Sequence, residues 1–402
     1  MKKHILIVSQ YFYPEQFRIN DLASEWVKRG YRVTVLTGIP NYPQGKFYDG
    51  YGWRKCRTET WNGVEIIRIP LIARGHSSIG MVMNYLSFVV SGFFWKCFTK
   101  LRADYVFTFE VSPMTQALIG VWYAKKRKIP HCLYVQDLWP ENVEIVTGIH
   151  SKAVIAPIGK MVNYIYKNCD KILATSPSFV KEIQKRTLGE EDKVVYWPQY
   201  AEEFYQPLPK QAVAEIPDDA RLKIVFTGNI GHAQGLDILP RVAALLKERG
   251  DSNVAFVTVG DGRYKKQLLE EIGRLGVEEY FVMVDRQPAE RIPAILAACD
   301  VAFVSFMDNP LFANTIPAKL QSYLACGMPI LAAATGETER IVREADCGVC
   351  SPIGDDAALA DSIVALTANP GQLLEMSARA REYFESHFDK KTLIDEMDGY
   401  LN

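Results

Sequence analysis

Two doubly wound α/β domains in series are the fold class this sequence predicts, and three observations predict it. The apolar runs, HILIVSQ among them, are short and unbroken, as strands buried on both faces of a parallel sheet are. Stretches of helical periodicity lie between them, so strand, helix and strand recur as β-α-β units. At 402 residues the chain is too long for one ordinary core, and the pattern restarts at Leu222.

The first domain opens with HILIVSQ. INDLASEWVKRG follows, with Leu22, Ala23, Trp26 and Val27 on one helical stripe and Gly30 closing it; YRVTVLTG is the next strand. Further strands are expected at VEIIRIP, DYVFTFE, HCLYVQD and KILATS. The second domain repeats the opening with LKIVFTG, the helix LDILPRVAALLKERG and NVAFVTVG. FVMV, DVAFVSF, the helix PAKLQSYLACG and the strand PILAA complete it. The Pro-rich stretch Tyr196–Asp219 reads as the linker. The expected domains are therefore 1–200 and 201–380, with a terminal helix in 381–402 that can pack on either.

Apolar residues make up 48% of the chain and charged residues 23%, a globular and not a disordered composition. The net charge of −1 conceals an asymmetry. Residues 1–200 hold 27 Lys and Arg against 16 Asp and Glu, whereas residues 201–402 hold 19 against 31. A basic first half suits an anionic surface or substrate; two solubilised faces are the plainer reading. Nothing in the pattern supports nucleic-acid recognition. In MKKHILIVSQ the apolar run is too short for a signal peptide, and no cleavage site follows. A cytoplasmic location is expected, with the eight cysteines reduced. Cys347-Gly-Val-Cys350 has no second pair to complete a zinc site and reads as structural.

One segment resists the scheme. Residues 79–95, IGMVMNYLSFVVSGFFW, are uncharged and flanked by Arg74, Lys96, Lys100 and Arg102. They fall at the short edge for a membrane span and are diluted by Gly, Asn and Ser. A buried domain helix and an interfacial helix touching lipid both remain open.

The turn TGNIGHAQGLD (227–237) lies between a strand and a helix, the layout of an anion cradle, yet it contains no Lys or Arg. Its glycines match neither the dinucleotide fingerprint nor the P-loop. Val8-Ser9-Gln10-Tyr11 offers no glycine for a pyrophosphate turn, which argues against a dehydrogenase. Other strand-end turns are YFYPEQFR, GIPNYPQG, FEVSP, YVQDLWPEN, GDG (260–262), VDRQP and NPLFANTIPAKL.

In this order, YPE (13–15), LTGIPNYPQG (36–45), QDLWPE (136–141), TGNIGHAQGLD, VGDG (259–262) and PAKLQSYLACGMPIL (317–331) form a specific set. Over almost the whole chain it resembles the family-4 glycosyltransferases of GT-B architecture, retaining enzymes whose two Rossmann-like domains face a central cleft. Within that family it looks most like the bacterial N-acetylfucosamine and colanic-acid transferases. The resemblance implies transfer of a sugar from a nucleotide diphosphate, most readily UDP, to a polyprenyl-diphosphate-linked saccharide. It places the acceptor on the first domain and the donor on the second, peripherally at the inner face of a bacterial plasma membrane whose anionic surface the basic half would approach.

The resemblance assigns the donor's diphosphate to Gly228 and the turn after it, through the amides of Gly231, His232 and Ala233 and the helix starting near Leu236. Asn229 and Gln234 stand where many relatives have Arg and Lys, so Lys319 becomes the source of charge, with Arg286 and Arg18 in reserve. Asn314 or Thr315 is expected to cap the helix bearing Lys319. Asn314 and Ser322 occupy the places of a Glu pair that relatives keep near the donor sugar and ribose. Glu15, Arg18, Asn41 and Tyr42 fall on the acceptor side, Arg18 where relatives often have glycine. Asp137 is the expected catalytic group, orienting the acceptor hydroxyl and offsetting positive charge on the anomeric carbon; Glu110 and Glu141 are second choices. A strand-end Asp capping its own turn is the alternative. The chain has no Asp-x-Asp pair, so no metal cofactor is expected. Two rival readings are a UDP-sugar 2-epimerase, which would need a suitably placed His, and a non-catalytic nucleotide-sugar-binding subunit.

Overall fold

The computed structural model describes residues 3–148 and 151–401. The chain divides into two compact units, Met1–Trp197 and Pro198–Asn402.

In the first unit eight strands form one sheet: β1 (His4–Val8), β2 (Arg32–Thr37), β3 (Thr58–Trp61), β4 (Val64–Arg68), β5 (Tyr105–Glu110), β6 (His131–Val135), β7 (Lys171–Ala174) and β8 (Val194–Tyr196). Their order is β3-β4-β2-β1-β5-β6-β7-β8, parallel throughout except for the β3–β4 hairpin. The chain builds outward from β1 through β2 and β4, then returns to β5 on its other side. That reversal makes the carboxyl ends of β1 and β5 a topological switch point. The unbroken apolar strands are buried along their whole length, as a covered parallel sheet requires. β3 and β8 were not anticipated. β3, a polar edge strand, is turned back by Asn62-Gly63, the standard hairpin signal.

The helix Ser78–Phe98 settles one open question about segment 79–95. It is not a buried domain helix: only Asn84, Phe88 and Gly92 are fully buried along it, and a row of large apolar side chains faces outward. Gly92 lets it lie close to the helix Ala117–Arg127, because a Cβ there would fall 2.2 Å from Ile119 Cδ1.

The second unit has six parallel strands: β9 (Leu222–Asn229), β10 (Val254–Asp261), β11 (Phe281–Val284), β12 (Val301–Ser305), β13 (Ile330–Ala333) and β14 (Gly348–Ser351). The order β11-β10-β9-β12-β13-β14 is that of a dinucleotide-type fold, with its switch point between β9 and β12. Ile224, Phe226, Phe256, Phe303 and Leu331 from the central strands meet Leu239, Val242 and Leu246 of the helix Ile238–Arg249 in one core. β14, too short to stand out in the sequence, takes in Cys350 beside buried Cys347, and all eight cysteines are free thiols. Residues 198–221 form neither helix nor strand. The terminal helices Pro370–His387 and Lys390–Leu401 belong to this unit, where Lys390 Nζ meets Glu203 Oε1 at 3.0 Å.

Candidate functional site

The turn leaving β9 is shaped by backbone contacts that exclude side chains. Gly228 and Gly260 face each other across β9 and β10, and a Cβ on Gly260 would sit 1.9 Å from the Gly228 carbonyl oxygen. Only glycine fits there, and it adopts φ 150°. After Gly231 the chain makes one 3₁₀ turn, His232–Gln234, and Gly235 ends it at φ 58°. Met307 N donates to Ala233 O at 3.2 Å and Ser305 Oγ to Gln234 O at 2.5 Å, pinning the turn to the end of β12. The following helix begins at Ile238, two residues past Leu236, because the 3₁₀ turn and its left-handed glycine come first.

Three consecutive amides in this turn, those of Gly231, His232 and Ala233, find no acceptor among the described residues. The next two, of Gln234 and Gly235, are used within the turn. A run of free N–H groups at a strand end is an anion site in the making.

Lys319 supplies a cation at the same place. It is the second residue of the helix Ala318–Ala325. Its ammonium sits 3.7 Å from the centre of the Phe226 ring, donates to Gln234 Oε1, and lies 3.9 Å from where a Gly228 Cβ would be. Among the described residues no carboxylate pairs with it. Burial in these surroundings pulls its pKa down to about 7. Tyr323, one turn further along that helix, accepts the Thr227 amide proton at 2.7 Å and so fixes the helix to β9.

The helix is capped differently from expectation. Pro317 occupies the N-cap with no side-chain hydrogen bond, while Thr315 Oγ1 donates backwards to Leu311 O at 3.0 Å. The short helix Pro310–Ala313 explains this, since Asn314 closes that helix and Thr315 still belongs to its last turn. Ser322 is buried and donates to Ala318 O at 3.2 Å. Asn229 and His232 are exposed, His232 tilted 4.7 Å from Tyr264. Arg286 is exposed just beyond β11, two strands from β9.

At the switch point of the first unit, side chains and not bare amides line the strand ends. Asp137 Oδ2 accepts the Ser112 amide at 2.7 Å. Burial raises the Asp137 pKa against the pull of Ser112. Behind it Glu110 is fully buried, and burial, then the Asp137 charge, hold its pKa well above the carboxylate range against the pull of the Asp137 and Gln136 amides. Glu141 is engaged by Arg186 at 2.8 Å. Glu15 is buried and accepts the amides of Asn41 and Tyr42 at 2.7 and 2.6 Å, so it braces the loop after β2. Its pKa is pushed up to about 7 by burial, against those amides. Asn41 is buried as well, while Tyr42 is partly exposed beside Tyr11 and Phe17. Arg18 opens the helix Arg18–Lys28, half-buried.

Two family models divide the chain between them: a glycosyl transferase 4-like domain over residues 16–199 and a glycosyl transferases group 1 domain over residues 210–384. The chain is a family-4 glycosyltransferase of the GT-B fold. This transferase is 26% identical, over 97% of both chains, to an Escherichia coli K12 protein named as the colanic acid biosynthesis glycosyl transferase WcaI. Its fold matches sucrose-phosphate synthase from Thermosynechococcus elongatus with TM-score 0.76 at 15% identity, covering 99% of this chain and 98% of that one. Anabaena HepE, solved in complex with UDP-glucose, matches at TM-score 0.69 and 15% identity over 99% of each chain.

In the transferase Gly228, Gly231, His232, Gln234 and Lys319 come together, and Asp137 and Glu110 come together in the other unit. Glu141 and Arg286 stand apart from these groups, and Glu15 and Asn41 face inward. Sequence reasoning missed a buried amide network: Gln10 N donates to Gln116 Oε1 and Gln10 Nε2 to Asn84 Oδ1, both at 2.7 Å. It also missed Ser112, whose hydroxyl accepts from Trp139 Nε1 and Asn142 Nδ2. The usable signal for the network was Asn84 itself, which shares a helical face with Phe88 and Gly92.

Proposed function

We propose that the transferase moves a sugar from a UDP-sugar, with retention at the anomeric carbon, to a polyprenyl-diphosphate-linked saccharide for a surface polysaccharide such as an O antigen or capsule. The second unit takes the donor and the first takes the acceptor, with the protein peripheral on the cytoplasmic face of the plasma membrane. The observation supporting this most strongly is the pairing of three unpartnered amides with a desolvated ammonium that has no carboxylate of its own. A pyrophosphate satisfies both at once: it accepts from the amides and restores the charge on Lys319. The named relative in colanic acid biosynthesis and the UDP-glucose complex of HepE point the same way.

In this reading Gly228 to Gln234 and Lys319 hold the diphosphate, and Asn314 and Ser322 contact sugar and ribose by hydrogen bonds where a carboxylate pair would otherwise serve. Asp137, held by the Ser112 amide, orients the acceptor hydroxyl and stabilises positive charge at the anomeric carbon as the diphosphate departs. The departing phosphate takes the acceptor proton, so no strong protein base is needed. Protein groups balance the diphosphate charge, and turnover is expected to persist in excess EDTA; strict dependence on a divalent ion would contradict this. A thermal-shift panel of nucleotide sugars tests the donor: UDP-sugars should stabilise the second unit while ADP- and GDP-sugars do not, and an equal response to all would remove the base assignment.

A further inference from the structure

Along the helix Ser78–Phe98, Ile79, Val82, Leu86, Val90, Phe93 and Phe94 are exposed, Ile79 by 78%. Their spacing is that of a single helical stripe, of the kind that normally faces a core. Here it faces out. The patch continues past the helix, because Ile72 is exposed, its amide bonded to Ser87 Oγ, and Trp53 is exposed with its Nε1 bonded to Leu71 O.

Charge identifies the occupant. From Leu71 to Ala103 there is no Asp or Glu. Lys126 Nζ donates to Lys96 O and Cys97 O, which brings the basic end of the helix Ala117–Arg127 against the end of this one. Lys100, Arg102, Lys125 and Lys128 are exposed there and pair with no carboxylate among the described residues. Arg54 and Lys55, both exposed, follow Trp53 at the other end. A two-fold pairing with a second copy would set cation against cation in either direction. A bilayer with anionic headgroups matches both features, apolar face and basic rim.

We propose that this helix lies in the plane of an anionic bilayer with its outer face in the headgroup–acyl boundary, and that its inner face is part of the acceptor side of the transferase. The inner face is bound to the switch point: Asn84 Oδ1 accepts from Gln10 and Asn84 Nδ2 donates to Ile72 O at 2.6 Å. Leaving the unit to span the membrane would strip these buried amides of partners, so the helix docks and does not insert across. One element thereby sets the acceptor residues at the lipid surface, where a lipid-linked diphosphate presents its saccharide. The second half of this proposal rests on the acceptor class proposed above.

Flotation with phosphatidylcholine vesicles, with and without phosphatidylglycerol, tests it, using the full chain and the double variant Leu86→Glu/Phe94→Glu. Both sites are exposed, so melting temperature and UDP-glucose stabilisation should be unchanged. The expected result is binding only to the anionic vesicles, weakened by salt, and at least about ten-fold weaker in the variant. Equal flotation of variant and parent would overturn the proposal. So would a parent that fails to float, or one that is dimeric in solution and made monomeric by the substitutions. Loss of UDP-glucose stabilisation in the parent would instead count against the donor reading and leave this one standing.

Discussion

The two sheets end their first strands in opposite ways. β1 runs into Gln10, whose amide and side chain are occupied by Gln116 and Asn84, so its exit is closed by protein groups. β9 runs into a glycine turn whose amides at 231–233 are left bare beside Lys319. The same strand-helix-strand grammar thus yields one strand end whose amide is taken by a neighbouring side chain and one whose three amides stay bare beside a cation. An unpaired amide or a desolvated ammonium costs stability until a ligand meets it, so in the proposed reading the second arrangement stores binding energy for an anion.

Substitutions can break this contrast one side at a time. The largest effect is expected from Gly260→Val, since the new side chain would overlap the Gly228 carbonyl. It should cost at least about 3 kcal/mol of second-unit stability and abolish donor binding, while vesicle binding by the first unit persists. A melt with UDP-glucose present and absent reads this directly. Asp137→Asn acts on the other side. Turnover should fall roughly 10²- to 10³-fold with donor affinity unchanged, by initial rates and titration calorimetry; unaltered turnover would take Asp137 out of the site. Lys319→Met should weaken UDP-sugar binding about ten- to a hundred-fold, or roughly 1.4–3 kcal/mol. The smallest effect is Asn84→Leu, which orphans Gln10 Nε2 and the Ile72 carbonyl and should lower first-unit stability by about 1–2 kcal/mol without touching donor affinity.

Much of the frame was legible because buried parallel strands leave continuous apolar runs, as in HILIV and VAFVS. β8 and β14 were not, since VVY and GVCS are too short to rise above their surroundings. In the turn after β9 the glycines were readable, for their absence of a Cβ is a property of sequence. The amides of Gly231, His232 and Ala233 were named only through the family resemblance, because their freedom depends on Ser305 and Met307 taking carbonyls and leaving the N–H groups alone. Thr315 misled for a related reason: a preceding short helix claimed its hydroxyl. The amide network was hidden because Gln and Asn ordinarily face water. Segment 79–95 has a composition that suits a core or a bilayer alike, and only the packing of Gly92 and Asn84 showed which face turns inward.

Lys319 offers the sharpest probe of the contrast. With a pKa near 7 in the free protein its ammonium is largely neutral at pH 8, and a bound diphosphate should raise that pKa toward its ordinary value. Calorimetry of UDP-glucose binding at pH 8 in buffers of differing ionisation enthalpy should therefore show uptake of close to one proton, vanishing by pH 6 and absent in Lys319→Met. Binding of UDP-glucose at pH 8 with no proton taken up would contradict the claim that this ammonium completes a main-chain pyrophosphate site.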